Sequence, residues 1–187
     1  MTYSEPNLHM INDWAEAWSY YLIKASNKIA QEKGPCKLNY QTKYSKGIMP
    51  INTYKVEVDE LVPHDPQMDW DELSENLREH GIRNSTLMAL MPSETSSQIS
   101  NATNGIEPPR ALVSIKQSKH GVLKQVVPGI FHLKNKYELL WDQKSPEGYL
   151  EICAVLQKYV DQGISVNTSY NPRSVSYTHL TLPTTYH

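Results

Sequence analysis

Along residues 8–29 the apolar side chains Ile11, Trp14, Ala15, Trp18, Tyr21, Leu22 and Ala25 recur at three- and four-residue intervals. That is the period of a helix with one buried face, and Gly34-Pro35 stops it. A second helix is predicted over residues 69–81: Asp69 can cap it, acidic residues crowd its first turn, and Gly81 suits the left-handed turn that ends it. A third spans 148–164, with Tyr149, Ile152, Cys153, Leu156, Tyr159 and Val160 on one face. Residues 36–58, Tyr-rich with turn signals at Gly47 and Pro50, read as loop with short extended pieces. The nearly continuous apolar run 86–91 predicts a strand covered on both faces and ended by Pro92. Residues 111–116 and 122–127 predict a hairpin around His120-Gly121. No repeat or low-complexity linker divides residues 1–173, which read as one unit.

The tail 174–187 is different in kind. It has no periodicity continuing the preceding pattern and resembles the translation of a transposon-type sequencing adapter, so it is expected to be unrelated to the fold.

Composition narrows the classes. With 39% hydrophobic and 20% charged residues in 187, the chain is of globular type. A net charge of -2 without a basic run gives no general attraction to nucleic acid. No apolar run reaches the roughly 20 residues that span a bilayer, and a secretion signal is absent, so a cytoplasmic location is expected. Matches to the glycosylation pattern at Asn84, Asn101 and Asn167 then carry no weight. Cys36 and Cys153 lie far apart and read as reduced, buried thiols. His9, His64, His80, His120 and His132 lack ligand spacing, so no metal site is expected.

Candidate chemistry concentrates in Pro92-Ser93-Glu94-Thr95-Ser96-Ser97-Gln98. A strand ends, Pro92 fixes the exit, and four hydroxyl residues surround an expected helix N-terminus, whose first N–H groups lack partners within the helix. Such a constellation suits a phosphate or diphosphate without a lysine. Thr95 with Gln98 three residues later also fits a capping box, which explains the same letters with no ligand. The Glu94 carboxylate would repel a diphosphate, so its side chain is expected to turn away and leave its N–H to contribute. Hydrogen bonds of roughly 1.5–3 kcal/mol each do not offset an association cost of about 4–15 kcal/mol, so the loop requires the rest of a pocket.

The run 83–110, Arg-Asn-Ser-Thr-Leu-Met-Ala-Leu-Met-Pro-Ser-Glu-Thr-Ser-Ser-Gln-Ile-Ser-Asn-Ala-Thr-Asn-Gly-Ile-Glu-Pro-Pro-Arg, resembles the large subunit of class I ribonucleotide reductases. The resemblance extends through Tyr20 to Ser26, Lys46 to Ile51, Gln125 to Pro128, Tyr137 to Trp141 and Val166 to Thr168, covering roughly residues 3–173. It implies an α/β fold, part of that family's ten-stranded α/β barrel, helix-rich with short strands and a hairpin. It also implies that Pro92, Ser93, Glu94, Thr95 and Ser96 hold the diphosphate of a ribonucleoside diphosphate, with Ser97 as a second-line candidate.

For the parent subunit the resemblance implies reduction of ribonucleoside diphosphates to deoxyribonucleotides by a thiyl-radical mechanism. It further implies a radical-generating metal cofactor in a small partner subunit, a homodimer in an α2β2-type complex, thioredoxin or glutaredoxin as reductant, and ATP and dNTP effectors. The family's radical cysteine, reducing cysteine pair, catalytic asparagine and glutamate, and radical-transfer tyrosine pair do not map here. No catalytic residue, cofactor or effector site is therefore expected in this chain, and Tyr20-Tyr21 is expected to be core. The alternative is a stand-alone phosphate-binding remnant.

Overall fold

The computed structural model describes residues 3, 6–93, 96–118 and 121–169; the tail 174–187 lies outside them. The order of main elements is α1 (Leu8–Lys33), α2 (Trp70–His80), α3 (Ser96–Ile99), β1 (Val113–Ser118), β2 (Gly121–Val126), α4 (Ile130–Leu133) and α5 (Glu147–Gln157). Helix α1 starts where the Asn7 side chain accepts from the Met10 N–H, and ends at Gly34, whose N–H donates to Ala30.

The buried stripe of α1 is rotated from the one its apolar residues predict. Trp14 is 64% exposed, and Trp18 and Tyr21 also face outward, whereas Asn12, Glu16, Ser19, Ser26 and Asn27 face inward beside Ile11, Ala15, Tyr20, Ile23 and Ala30. Of the tyrosine pair, only Tyr20 is core. Most of the inward polar groups find partners on other elements, which is why they can be buried. Glu16 Oε1 accepts from the Gln67 and Met68 amides and from Trp70 Nε1 at 2.8–2.9 Å. Asn27 donates to the carbonyls of Asn76 and Gly81, and Tyr159 donates to Asn12.

Helix α2 forms as its sequence predicts. Asp69 accepts from the Glu72 N–H, and Gly81, at φ 71°, ends the helix with its N–H on the Leu77 carbonyl. Leu77 and Ile23 are fully buried, each contributing about 1.5–3 kcal/mol. Trp70 packs edge-on against Tyr20 at 5.4 Å.

Residues 36–58 are not extended. They fold into 3₁₀ turns at Asn39–Gln41, Tyr44–Lys46 and Pro50–Asn52, with another at Val56–Glu60, and so bury Tyr44, Met49 and Ile51. Helix α5 stops seven residues short of the predicted end. The Gln157 side chain donates to the Val160 and Gln162 carbonyls and accepts from the Ile164 N–H, closing the exit as a tight turn.

The hairpin is present, with β1 and β2 antiparallel and Val113 opposite Val126, Ile115 opposite Lys124 and Gln117 opposite Val122; His120 lies outside the described residues. Its face carrying Val113, Ile115, Val122 and Val126 is open to solvent. The strand predicted over 86–91 does not form. Met88 and Leu90 accept one backbone bond each, from Gln162 and Ser165, and the Leu87 and Met88 amides go to a side chain instead. Met88 is buried but Ala89 is exposed, so the run is covered on one side only. A strand requires a continuous ladder to a neighbour, and among the described residues the only sheet is the two-stranded hairpin.

Candidate functional site: the hydroxyl loop after Met91

The chain enters the loop along a path held from two sides. The Asn84 amide donates to Ser26 Oγ, which in turn donates to Asn84 Oδ1, fixing the segment to α1. Opposite, the Asp161 carboxylate accepts from the Leu87 amide at 2.8 Å, the Met88 amide at 2.9 Å and the Tyr44 hydroxyl at 2.8 Å. Burial, and then the Asp161 charge and hydrogen bond, push the Tyr44 phenol well above its ordinary value, so it remains a donor.

Beyond Met91, Pro92 is exposed and Ser93 half-buried. The Ser93 amide donates to Asn104 Oδ1 at 2.7 Å, and its carbonyl accepts from the Ser97 amide at 2.9 Å. Ser96 is exposed, and its hydroxyl makes a long 3.4 Å bond to the Ser93 carbonyl. Ser97 is buried beneath the loop, its carbonyl accepting from the Ala102 amide and the Ser100 hydroxyl. Glu94 and Thr95, and with Thr95 the capping-box alternative, lie outside the described residues. Helix α3 is only four residues long, so its aligned peptide dipoles are few. The Ser93 and Ser97 amides are committed within the loop, so among the described residues it is the Ser93 and Ser96 hydroxyls, rather than a macrodipole, that this loop can offer an anion.

The return segment braces the loop. Asn104 Nδ2 donates to Glu107 Oε2 at 3.4 Å, and Glu107 Oε1 accepts from Asn167 Nδ2 at 2.6 Å. Gly105 has φ 61°, and a Cβ there would lie 3.1 Å from the Met91 carbonyl oxygen. The Tyr3 hydroxyl donates to the Ile106 carbonyl. A cavity of about 300 Å³ opens beside this brace, lined among others by Asn104, Glu107, Arg110, Ser114 and Gln125. Asn104, Gly105, Glu107, Asp161 and Asn167 carry no local sequence signal of these roles, because, the short Asn104–Glu107 link aside, the hydrogen bonds that define them reach partners 11 to 117 residues away.

Elsewhere, Lys158 is buried with its Nζ 3.0 Å from Asp59 and 4.8 Å from the Tyr54 ring centroid. The Tyr54 hydroxyl donates to Asp59. Burial, then the Asp59 hydrogen bond and charge, push the Tyr54 phenol up to about 12. Cys153 is a buried free thiol, which burial pushes up to about 11 against an opposing hydrogen bond with Tyr149; Cys36 is free and half-exposed, not buried as expected.

A family model for the ribonucleotide reductase barrel domain matches residues 2–186. The chain is 58% identical over 157 residues to ribonucleoside-diphosphate reductase 1 subunit alpha of Salmonella typhimurium, covering 84% of this chain and 21% of that protein. The Escherichia coli protein of the same name is 57% identical over the same shares. The subunit alpha of Enterobacteria phage T4 is 44% identical over 92% of this chain and 23% of its own. The chain thus spans about a fifth of the length of the curated relatives it matches. With a barrel-domain match over nearly its whole length and relatives of one description, this chain belongs to the class I ribonucleotide reductase alpha-subunit family, within its barrel domain.

Proposed function

We propose that this chain is the part of a ribonucleoside-diphosphate reductase alpha subunit that holds the substrate's diphosphate, through Pro92, Ser93, Glu94, Thr95 and Ser96. The observation that carries the reading is the fixed exit at Ser93, where one peptide plane is held by Asn104 and the next by the Ser97 amide. From that start the hydroxyls of Ser93 and Ser96 are donors suited to phosphate oxygens. Ser97, buried below, supports the turn.

In the parent reaction these donors hold and orient the diphosphate while thiol and radical chemistry elsewhere in the subunit removes the 2′ hydroxyl. The metal cofactor of the partner subunit supplies the radical; this chain's residues bind and position. The outward faces of α1 and of the hairpin are surfaces for the rest of the subunit to cover, and by itself the chain is inactive. The parent works as an α2β2-type complex, with thioredoxin or glutaredoxin returning electrons and ATP and dNTPs as effectors.

The test is a chimera in which the 157 matching residues replace their counterparts in the Salmonella subunit. Thr95→Ala and Ser96→Ala are expected to raise KM for a ribonucleoside diphosphate by about tenfold each, the loss of roughly one hydrogen bond to a charged group. Unchanged KM in both sinks the proposal, and a chimera that binds diphosphate without reducing it favours a binding remnant.

A further inference from the structure

We propose that Asn104, Glu107 and Asn167 form a positioning chain that sets the backbone of the phosphate loop, an inference that rests on the diphosphate reading above. The two peptide planes flanking the Ser93 Cα are fixed independently, the first by Asn104 Oδ1 and the second by the Ser97 amide. Because peptide units are planar, holding both planes restricts φ and ψ of Ser93, and with them the direction in which its Cα–Cβ bond leaves the backbone.

The Asn104 amide can serve Ser93 in only one of its two orientations, since an N–H requires an acceptor. Glu107 dictates which. An ionised carboxylate only accepts, so it takes Asn104 Nδ2 on Oε2 and Asn167 Nδ2 on Oε1, leaving Asn104 Oδ1 to face Ser93. The 2.6 Å contact to Asn167 is charge-assisted and anchors the carboxylate from a segment 60 residues away. A carboxylate near a diphosphate loop is electrostatically unfavourable; Glu107 has both oxygens committed to amide donors instead. Gly105 permits the close approach, its Cα standing where a side chain would crowd the Met91 carbonyl.

The experiment uses the same chimera, holoenzyme included. Glu107→Gln is the primary variant: it keeps shape but presents one acceptor and one donor where two donors must be received. Binding of CDP and of cytidine, which lacks the phosphates, is measured by competition beside KM, kcat and thermal midpoint. Expected for E107Q and Asn104→Ala is CDP affinity lower by about tenfold, with cytidine affinity and kcat changed less than about twofold. The double variant is expected to be no worse than Asn104→Ala alone, since both act through one bond. Asn167→Ala, at an exposed residue, is expected to lose about threefold and carries the test if Asn104→Ala does not fold. Unchanged CDP affinity in E107Q, or an equal loss for CDP and cytidine, overturns the chain. If Thr95→Ala and Ser96→Ala weaken CDP and E107Q does not, the chain alone falls; if none does, the diphosphate reading falls first.

Discussion

Replacing Asp161 by asparagine tests how the loop's approach is held. The carboxylate receives three donors: Tyr44 and Leu87 on Oδ2 and Met88 on Oδ1. Asparagine retains one acceptor oxygen. If that oxygen keeps Tyr44 and Leu87, the new NH₂ group faces the Met88 amide, donor against donor, beside a side chain that is 1% exposed. One charged-acceptor bond is lost outright and two are weakened from charge-assisted to neutral, which sums to about 2–4 kcal/mol. That is a large share of the roughly 5–15 kcal/mol that stabilises a domain. The assay is urea unfolding at neutral pH followed by helical circular dichroism, with Tyr44→Phe and the double variant completing a cycle. Tyr44→Phe is expected to cost about 1–2 kcal/mol, and the cycle to show coupling because the two share a bond. A D161N variant within about 0.5 kcal/mol of the parent protein, where ordinary surface changes fall, would refute the reasoning.

Glu16→Ala leaves two loop amides and the buried Trp70 Nε1 without their acceptor, so a loss of about 3–5 kcal/mol is expected in the same urea assay. For Asp59, burial alone would raise the carboxyl, but the hydrogen bonds from Tyr54 and Lys158 and the Lys158 charge outweigh it and hold it below its ordinary value. A depressed carboxyl stabilises the fold above its unfolded value, and this contribution disappears as pH falls through the folded one. Stability should drop below about pH 4, and drop less steeply in Asp59→Asn; parallel acid profiles for the two proteins would contradict the pairing. Cys153, pushed up to about 11, is under about 1% thiolate at pH 8, so iodoacetamide in the folded chain should label Cys36 first, with mass spectrometry of the digest as the check. Gly105→Ala places a side chain at φ 61° against the Met91 carbonyl, and a cost of about 1–2 kcal/mol is expected by thermal unfolding.

Local rules decide α2 completely: an Asp cap, an acidic first turn and a terminal glycine act within one helix, and the structure keeps all three. The hairpin is legible for the same reason, since two short apolar runs around a glycine can pair only with each other at that separation. The four hydroxyl residues of 92–98 and a helix after them are likewise legible, and α3 does begin at Ser96.

The helix face was not legible in α1. Hydrophobicity favours Trp14, Trp18 and Tyr21 inside, but Glu16, Ser26 and Asn27 meet donors and acceptors from α2 and its flanking residues and from Asn84, Asn12 meets the Tyr159 hydroxyl, and satisfied polar groups can take the interior. Residues 86–91 have the composition of a strand without the ladder, because two of their amides are taken by Asp161. Sequence by itself determined the elements whose stop, start and partner lie within a dozen residues, and the donor-rich character of the loop. Tertiary structure alone decided which face of α1 is buried and which distant side chains, Asp161, Asn104, Glu107 and Asn167, hold that loop, because a hydrogen bond across 60 residues exists only once the chain has folded.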